Sequence, residues 1–283
     1  MCMLWALNMI VSRLVVGDLA VPPLWFAALR SLVVMLVLLP WLWPLPRDFL
    51  RVLLVTFAIG GGGLALLFIG LRDATASAAS VVSLASAPIT VIFAVIFLGE
   101  VVRWRRAAGI ALTFAGVTVT IASPEDMQAS LGLAIVFLSA IVGSLGAVFL
   151  KTLDLSAMRL QAWSGFSSAA ALLPLSLLLE TGQVEASLAG GWGFAGALVY
   201  SALVVSVLVH TLYFRMLQTH DVNVLAPLTL MTPVFAVILG VLINGVQVGP
   251  SMLLGGLFAL VGLLVILLRP ATSPFKRFFM PGR

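Results

Sequence analysis

Charge is scarce in this sequence. Asp, Glu, Lys and Arg make up 9% of its 283 residues, where a soluble domain carries about 25%. A chain so poor in polar groups cannot cover a surface that faces water, which excludes a soluble globular fold. The ten acidic residues fall between apolar runs or at their ends, never in their cores. That excludes the deep carboxylate that many pumps use as a proton relay, and it argues against recognising cationic cargo by charge pairing. Cysteine is limited to Cys2, so an internal disulfide is excluded. No HExxH, acidic metal cluster or rhomboid-like serine motif with a paired deep histidine occurs; Gly143-Ser144-Leu145-Gly146 has the wrong order for the last. No catalytic residue, metal ligand or cofactor is therefore expected.

Apolar sequence fills the space that charge leaves. Hydrophobic residues are 62% of the chain and mean hydropathy is +1.22. Crossing a bilayer takes about 20 apolar residues per helix. Charged residues, Gly and Pro divide the chain into ten such runs, at 1–16, 22–43, 49–71, 74–98, 104–122, 130–150, 158–179, 192–214, 222–243 and 249–268. Their continuous apolar content lacks the alternation of barrel strands, and only helices otherwise satisfy their own backbone groups in lipid. The expectation is an all-α polytopic membrane protein of ten transmembrane helices, with no room between spans for a soluble domain. The first run lacks both a basic leader and a small-residue cleavage site, so it reads as a span rather than a signal peptide.

Basic residues give the orientation. With both termini in the cytoplasm, that side receives Arg47, Arg51, Arg103, Arg105, Arg106, Lys151, Arg159, Arg215, Arg269, Lys276, Arg277 and Arg283, and the far side only Arg72. The far side also collects Asp18, Asp73, Glu125, Asp126, Glu180 and Glu185. The sequence pI near 10.3 thus reports topology and contact with anionic lipid, not nucleic acid. The tail at 269–283 is basic and mixed with Phe275, Phe278 and Phe279, which fits either an interfacial anchor or a disordered cytoplasmic end.

The second half echoes the first. Pro88 and Pro233 stand 145 positions apart, with Ala87-Pro88-Ile89 matching Thr232-Pro233-Val234 and Phe68 matching Tyr213. Gly109 and Gly116 match Gly255 and Gly262 at an offset of 146. Two copies of a five-span unit are expected, at 1–122 and 130–268. Because five is odd, the second copy must insert upside down. Inverted repeats of this kind characterise secondary transporters, whose opposed halves open a central site to either side in turn.

Together these residues resemble the drug/metabolite transporter superfamily in its EamA branch. The likeness rests on Trp5, Asn8 and Arg13 in the first span, Pro22-Pro23 with Ala28-Leu29-Arg30 in the second, Ala78 to Pro88 with Leu98-Gly99-Glu100 in the fourth, and Gly109 and Gly116 in the fifth. Ala6, Ser31 and Asn244-Gly245 depart from the pattern. The resemblance implies ten helices in two inverted EamA repeats, and movement of small metabolites, often amino acids, across a bacterial inner membrane. A translocator of lipid or polyprenyl carriers is the alternative within the superfamily, and a membrane-embedded enzyme the alternative outside it.

A polar group inside hydrocarbon is costly and belongs at the bundle interior or beside water. Arg30 is the ninth residue of span 2, about 12 Å of helix below the outer face. It reads either as an attractor of a substrate carboxylate or as a side chain bonded to helix-end carbonyls or snorkelling outward. Asn8, midway along span 1, suits ligand contact and helix-to-helix bonding equally. Ser77, Ser80, Ser83 and Ser86 form a stripe along span 4 that fits an aqueous path or close packing. Pro88 and Pro233 each remove a backbone bond deep in a span, giving a hinge or a fixed bend. Gly60 to Gly63 allow close backbone approach, local unwinding or both. His210 and Tyr213 lie toward the cytoplasmic end of span 8, where His210 either exchanges a proton or packs. The expected substrate pathway comprises Asn8, Arg30, Ser83, Ser86, Pro88, His210, Tyr213, Thr229 and Pro233. Its expected partners are a small-molecule substrate and the bilayer, with oligomeric state left open by the sequence.

Overall fold

The computed structural model describes residues 1–98, 102, 104–122, 127–150, 152–219, 231–244 and 249–267. Among them every regular element is helical. In chain order the long helices are α1 (Cys2–Arg13), α2 (Pro23–Val37), α3 (Phe49–Leu71), α4 (Ala76–Phe97), α5 (Trp104–Ile121), α6 (Met127–Leu150), α7 (Ala157–Leu179), α8 (Gly191–Tyr213), α9 (Met231–Asn244) and α10 (Pro250–Leu267). Six of them, α3, α4, α6, α7, α8 and α10, are long and apolar enough to cross a membrane. Within the most apolar 18-residue stretch of each, no more than 44% of the residues are buried within the protein. Leu178 and Trp192, 81% and 93% exposed, would be intolerable in water and suit lipid and its interface. The chain is an integral membrane protein.

Two departures from the sequence expectation have local causes. The second run was expected to continue to residue 43. Instead α2 stops at Val37 and a 3₁₀ turn, Leu39–Leu42, follows, because Pro40 has no N–H to give and its ring clashes with the preceding turn. A short helix, Gln183–Ala189, lies in the α7–α8 connection where only a loop was expected. Gly182 opens it with φ of +73°, a conformation that a side chain would strain. The basic tail lies outside the described residues.

Helix packing follows the small residues. Between membrane helices burial supplies little drive, so close backbone approach has to supply contact energy. The α5–α10 seam is the closest-packed case. A β-carbon on Gly109 would lie 2.6 Å from the Gly262 carbonyl oxygen, and one on Gly255 2.7 Å from that of Gly116. These two contacts run in opposite directions along the helices, so α5 and α10 are antiparallel. The repeat offset turns Gly109 into Gly255 and Gly116 into Gly262, which converts one contact into the other.

Other helix pairs behave in the same way. α1 packs on α9 as α6 packs on α4, α3 on α6 as α8 on α1, and α3 on α7 as α8 on α2, while α2 meets α7 and α4 meets α9. Both α3 and α8 also contain π-helical segments, Ala58–Gly62 and Tyr200–His210. Shifted by 145 positions, the first falls inside the second.

Candidate functional site

The π-helical stretch of α8 fixes the polar centre of the bundle. Its i→i+5 bonding places positions five apart about one turn above each other, whereas an α-helix would put them on different faces. Ser201 and Ser206 are such a pair. Ser201 donates to Asn8 Oδ1 at 2.8 Å, and Ser206 accepts from Arg30 Nε at 2.9 Å. One helical face of α8 therefore holds the amide of α1 and the guanidinium of α2. Arg30 is only 1% exposed, and its guanidinium lies 5.8 Å from the centre of the Phe68 ring. Its Nη1 has no hydrogen-bond partner among the described residues.

Asn8, Arg30 and Ser206 line a chamber of about 500 Å³, a size suited to a small molecule. Trp5, His210 and Tyr213 give the chamber an aromatic wall. The Trp5 ring lies 5.7 Å from His210 and 5.1 Å, edge-on, from Tyr213. Leu150, Leu160 and Gln161 extend the chamber toward the bundle end that carries Arg51 and Arg159. At the opposite end Phe26 packs on Phe68 and Phe194, with ring centres 4.9 and 6.3 Å apart, all three buried.

That closed end has its own polar fastening. Glu180, at the end of α7, accepts the backbone N–H of Leu24 at 2.8 Å and of Trp25 at 2.9 Å. Pro23 is the first residue of α2 and lacks an N–H, so the carboxylate meets the donors that a helix N-terminus leaves without partners. Ser176 donates to the same carboxylate at 2.7 Å, and Trp25 Nε1 donates to Ser187 at 3.0 Å.

The sequence-derived pathway residues converge in large part. Asn8, Arg30, Ser83, Ser86, His210, Tyr213 and Pro233 all line the chamber. Pro88 is buried and does not; its neighbour Ala87 takes that place. Its effect is on the backbone, since α4 breaks at Leu84–Ala85 and Ala87 N–H reaches the Leu84 carbonyl at 3.3 Å. Thr229 lies outside the described residues.

Asn8 bonds α8 through Ser201 and also lines the chamber. The serine stripe combines packing contacts with lining positions. Ser83 bonds the Ala79 carbonyl of its own helix, Ser77 reaches across to the Ala236 carbonyl of α9, and Ser80, Ser83 and Ser86 line the chamber. Gly60 and Gly61 combine π-helical backbone with close approach, because β-carbons there would strike Ser164 and Ser168.

Several lining groups were not singled out as site residues from sequence. Ser206 and Thr232 are not among the expected pathway groups, Gln161 is uninformative by itself in the sequence, and Trp5 enters only through the family likeness. Polar residues five apart in an apolar run, as Ser201 and Ser206 are, were the available signal. Trp5 Nε1 and Thr232 Oγ1, like Arg30 Nη1, are buried and have no hydrogen-bond partner among the described residues. Among the described residues no group of His, Cys, Asp and Glu could hold a metal ion.

Comparison with known proteins agrees with this architecture. The EamA-like transporter family matches residues 1–122 and 130–268. The chain is 29% identical over 273 residues, 90% of each chain, to a Salmonella typhimurium protein named "Probable amino-acid metabolite efflux pump". A solved crystal structure of a protein superposes with a TM-score of 0.56 at 21% identity, over 94% of both chains, and so shares the fold.

Proposed function

Since the chain belongs to the EamA-like transporter family, and is a membrane transporter rather than an enzyme, we propose that it exports a small amino-acid-like metabolite by alternating access to the chamber around Arg30. The cargo is neutral, zwitterionic or anionic. The proposed architecture is ten spans in two inverted repeats, 1–122 and 130–268, with both termini in the cytoplasm of a bacterial inner membrane. The exchanged contacts of Gly109 with Gly262 and Gly116 with Gly255 support the inversion, because equivalent helices of oppositely inserted repeats run antiparallel. The direction of transport is supported by the efflux pump named above.

The observation that carries the reading is Arg30 itself, 1% exposed, beside a chamber, with one terminal nitrogen unused. A buried cation without a carboxylate partner is strongly unfavourable unless something supplies the counter-charge. A cargo carboxylate does so with charge-assisted bonds. The chamber would then be open toward the cytoplasm, with the Phe26–Phe68–Phe194 cluster and the Glu180 fastening closing the outer side. Proteoliposomes loaded with unlabelled amino acids test this by counterflow. Accumulation of the labelled cargo that depends on internal cargo supports the reading. Movement of a lipid probe without solute exchange would replace it with a lipid translocator.

A further inference from the structure

Two of the three unused buried polar atoms of the chamber can only donate. Among the described residues, Arg30 Nη1, Trp5 Nε1 and Thr232 Oγ1 lack a partner. The guanidinium and the indole nitrogen can only donate, and a hydroxyl can do either. Of the two lining amides, Asn8 already accepts the Ser201 hydroxyl on its Oδ1, which leaves an ammonium the neutral Gln161 amide and no carboxylate. Among the described lining residues there is no Asp or Glu. The chamber thus asks its occupant for acceptors and offers an ammonium group no carboxylate.

Charge balance sharpens the point. With Arg30 protonated, the chamber carries a positive charge that no described carboxylate balances, in a low-dielectric setting. A monoanion brings the total to zero. A zwitterion leaves it unchanged and adds a desolvated ammonium, and a cation doubles it. From the unsatisfied donors and the absence of a lining carboxylate, we infer that the preferred cargo is a monocarboxylate without a free ammonium group. A 2-oxo acid or an N-acylated amino acid has that chemistry. Its carboxylate sits on Arg30 Nη1, and its body lies against Met9, Leu64, Leu67 and Leu84. This inference rests on the chamber being the cargo site.

The test uses the purified full chain in lipid nanodiscs and three ligand sets built on the alanine, leucine and phenylalanine skeletons. Each set holds the 2-oxo acid, the amino acid and the amino-acid amide, so that the charge runs from minus one through zero to plus one. Calorimetric binding should show at least one 2-oxo acid about tenfold or more tighter than its amino acid, with no binding of its amide. Arg30→Lys should keep that order, and Arg30→Gln should erase it in protein that remains monodisperse. Amino acids binding as tightly as their 2-oxo acids in the unaltered chain would overturn the inference while leaving the transport reading intact. No binding in any set would remove both.

Discussion

Gly109 of α5 and Gly262 of α10 press backbone to backbone, a β-carbon on either falling 2.6 or 2.7 Å from the other's carbonyl oxygen. Backbone atoms that cannot rotate away lie within 2.7 Å of each added carbon, so added volume must separate the helices. Gly262→Val and its repeat counterpart Gly116→Val should each lower the melting temperature sharply, overpacking costing about 1–3 kcal/mol or more. Gly143→Ala, with nothing within 4 Å of the added carbon, should leave it unchanged or raise it. Thermal unfolding in detergent compares the three, and equal melting of all would dissolve the seam.

The Glu180 carboxylate ties the far end of α7 to the first turn of α2, with Leu24 and Trp25 as its backbone donors. Glu180→Ala should destabilise by about 1–2 kcal/mol, since it strands charge-assisted bonds at a half-buried site. Glu180→Gln, which retains one acceptor oxygen, should lose less. If the fastening is also the outer closure, both variants should raise the reactivity of a cysteine at Phe26 toward an impermeant thiol reagent added outside. Unaltered reactivity would leave Glu180 a structural cap only.

Ser206 aims Arg30 without being a candidate to carry charge itself. Ser206→Ala should weaken apparent cargo affinity severalfold while changing maximal flux less, because the guanidinium keeps its charge and loses its anchor. Arg30→Ala should abolish flux of carboxylate cargo with folded yield near normal. A Ser206→Ala chain with unaltered kinetics would show that α8 does not position the guanidinium.

Pro88 and Pro233 occupy equivalent places in the two halves, and near Pro88 the helix reorganises into shorter-range bonds at Leu84 to Ala87. Pro88→Ala and Pro233→Ala should each slow turnover more than they weaken binding, as expected where a weakened backbone serves as a hinge. Measured exchange rates beside binding constants separate the two effects. Unchanged turnover in both would make them fixed bends.

Much of this was legible in the sequence because lipid allows few solutions. Apolar runs bounded by charge gave helix positions within a few residues for α3, α7 and α10, and Pro88, Pro233 and the paired glycines displayed the repeat. Seven of the nine expected pathway residues line one chamber, since a polar group in an apolar span has few other places to go. The missing parts depend on tertiary placement. Ser201 and Ser206 become a pair only when α8 adopts i→i+5 bonding, which no α-helical periodicity reveals. Glu180 looked like an ordinary loop acid, its role set by Leu24 and Trp25 more than 150 residues away. Pro40 ended α2 early inside a run whose composition alone gave no stop.

The central claim is one chamber that opens to either side in turn. Ser83→Cys, placed in a Cys2→Ser chain, puts a single thiol on the chamber wall. Its labelling by a membrane-impermeant thiol reagent can be followed in right-side-out and inside-out vesicles, with and without cargo. The account predicts labelling from both sides, slowed by cargo on each. A thiol that reacts from one side only, whatever cargo is present, would contradict it.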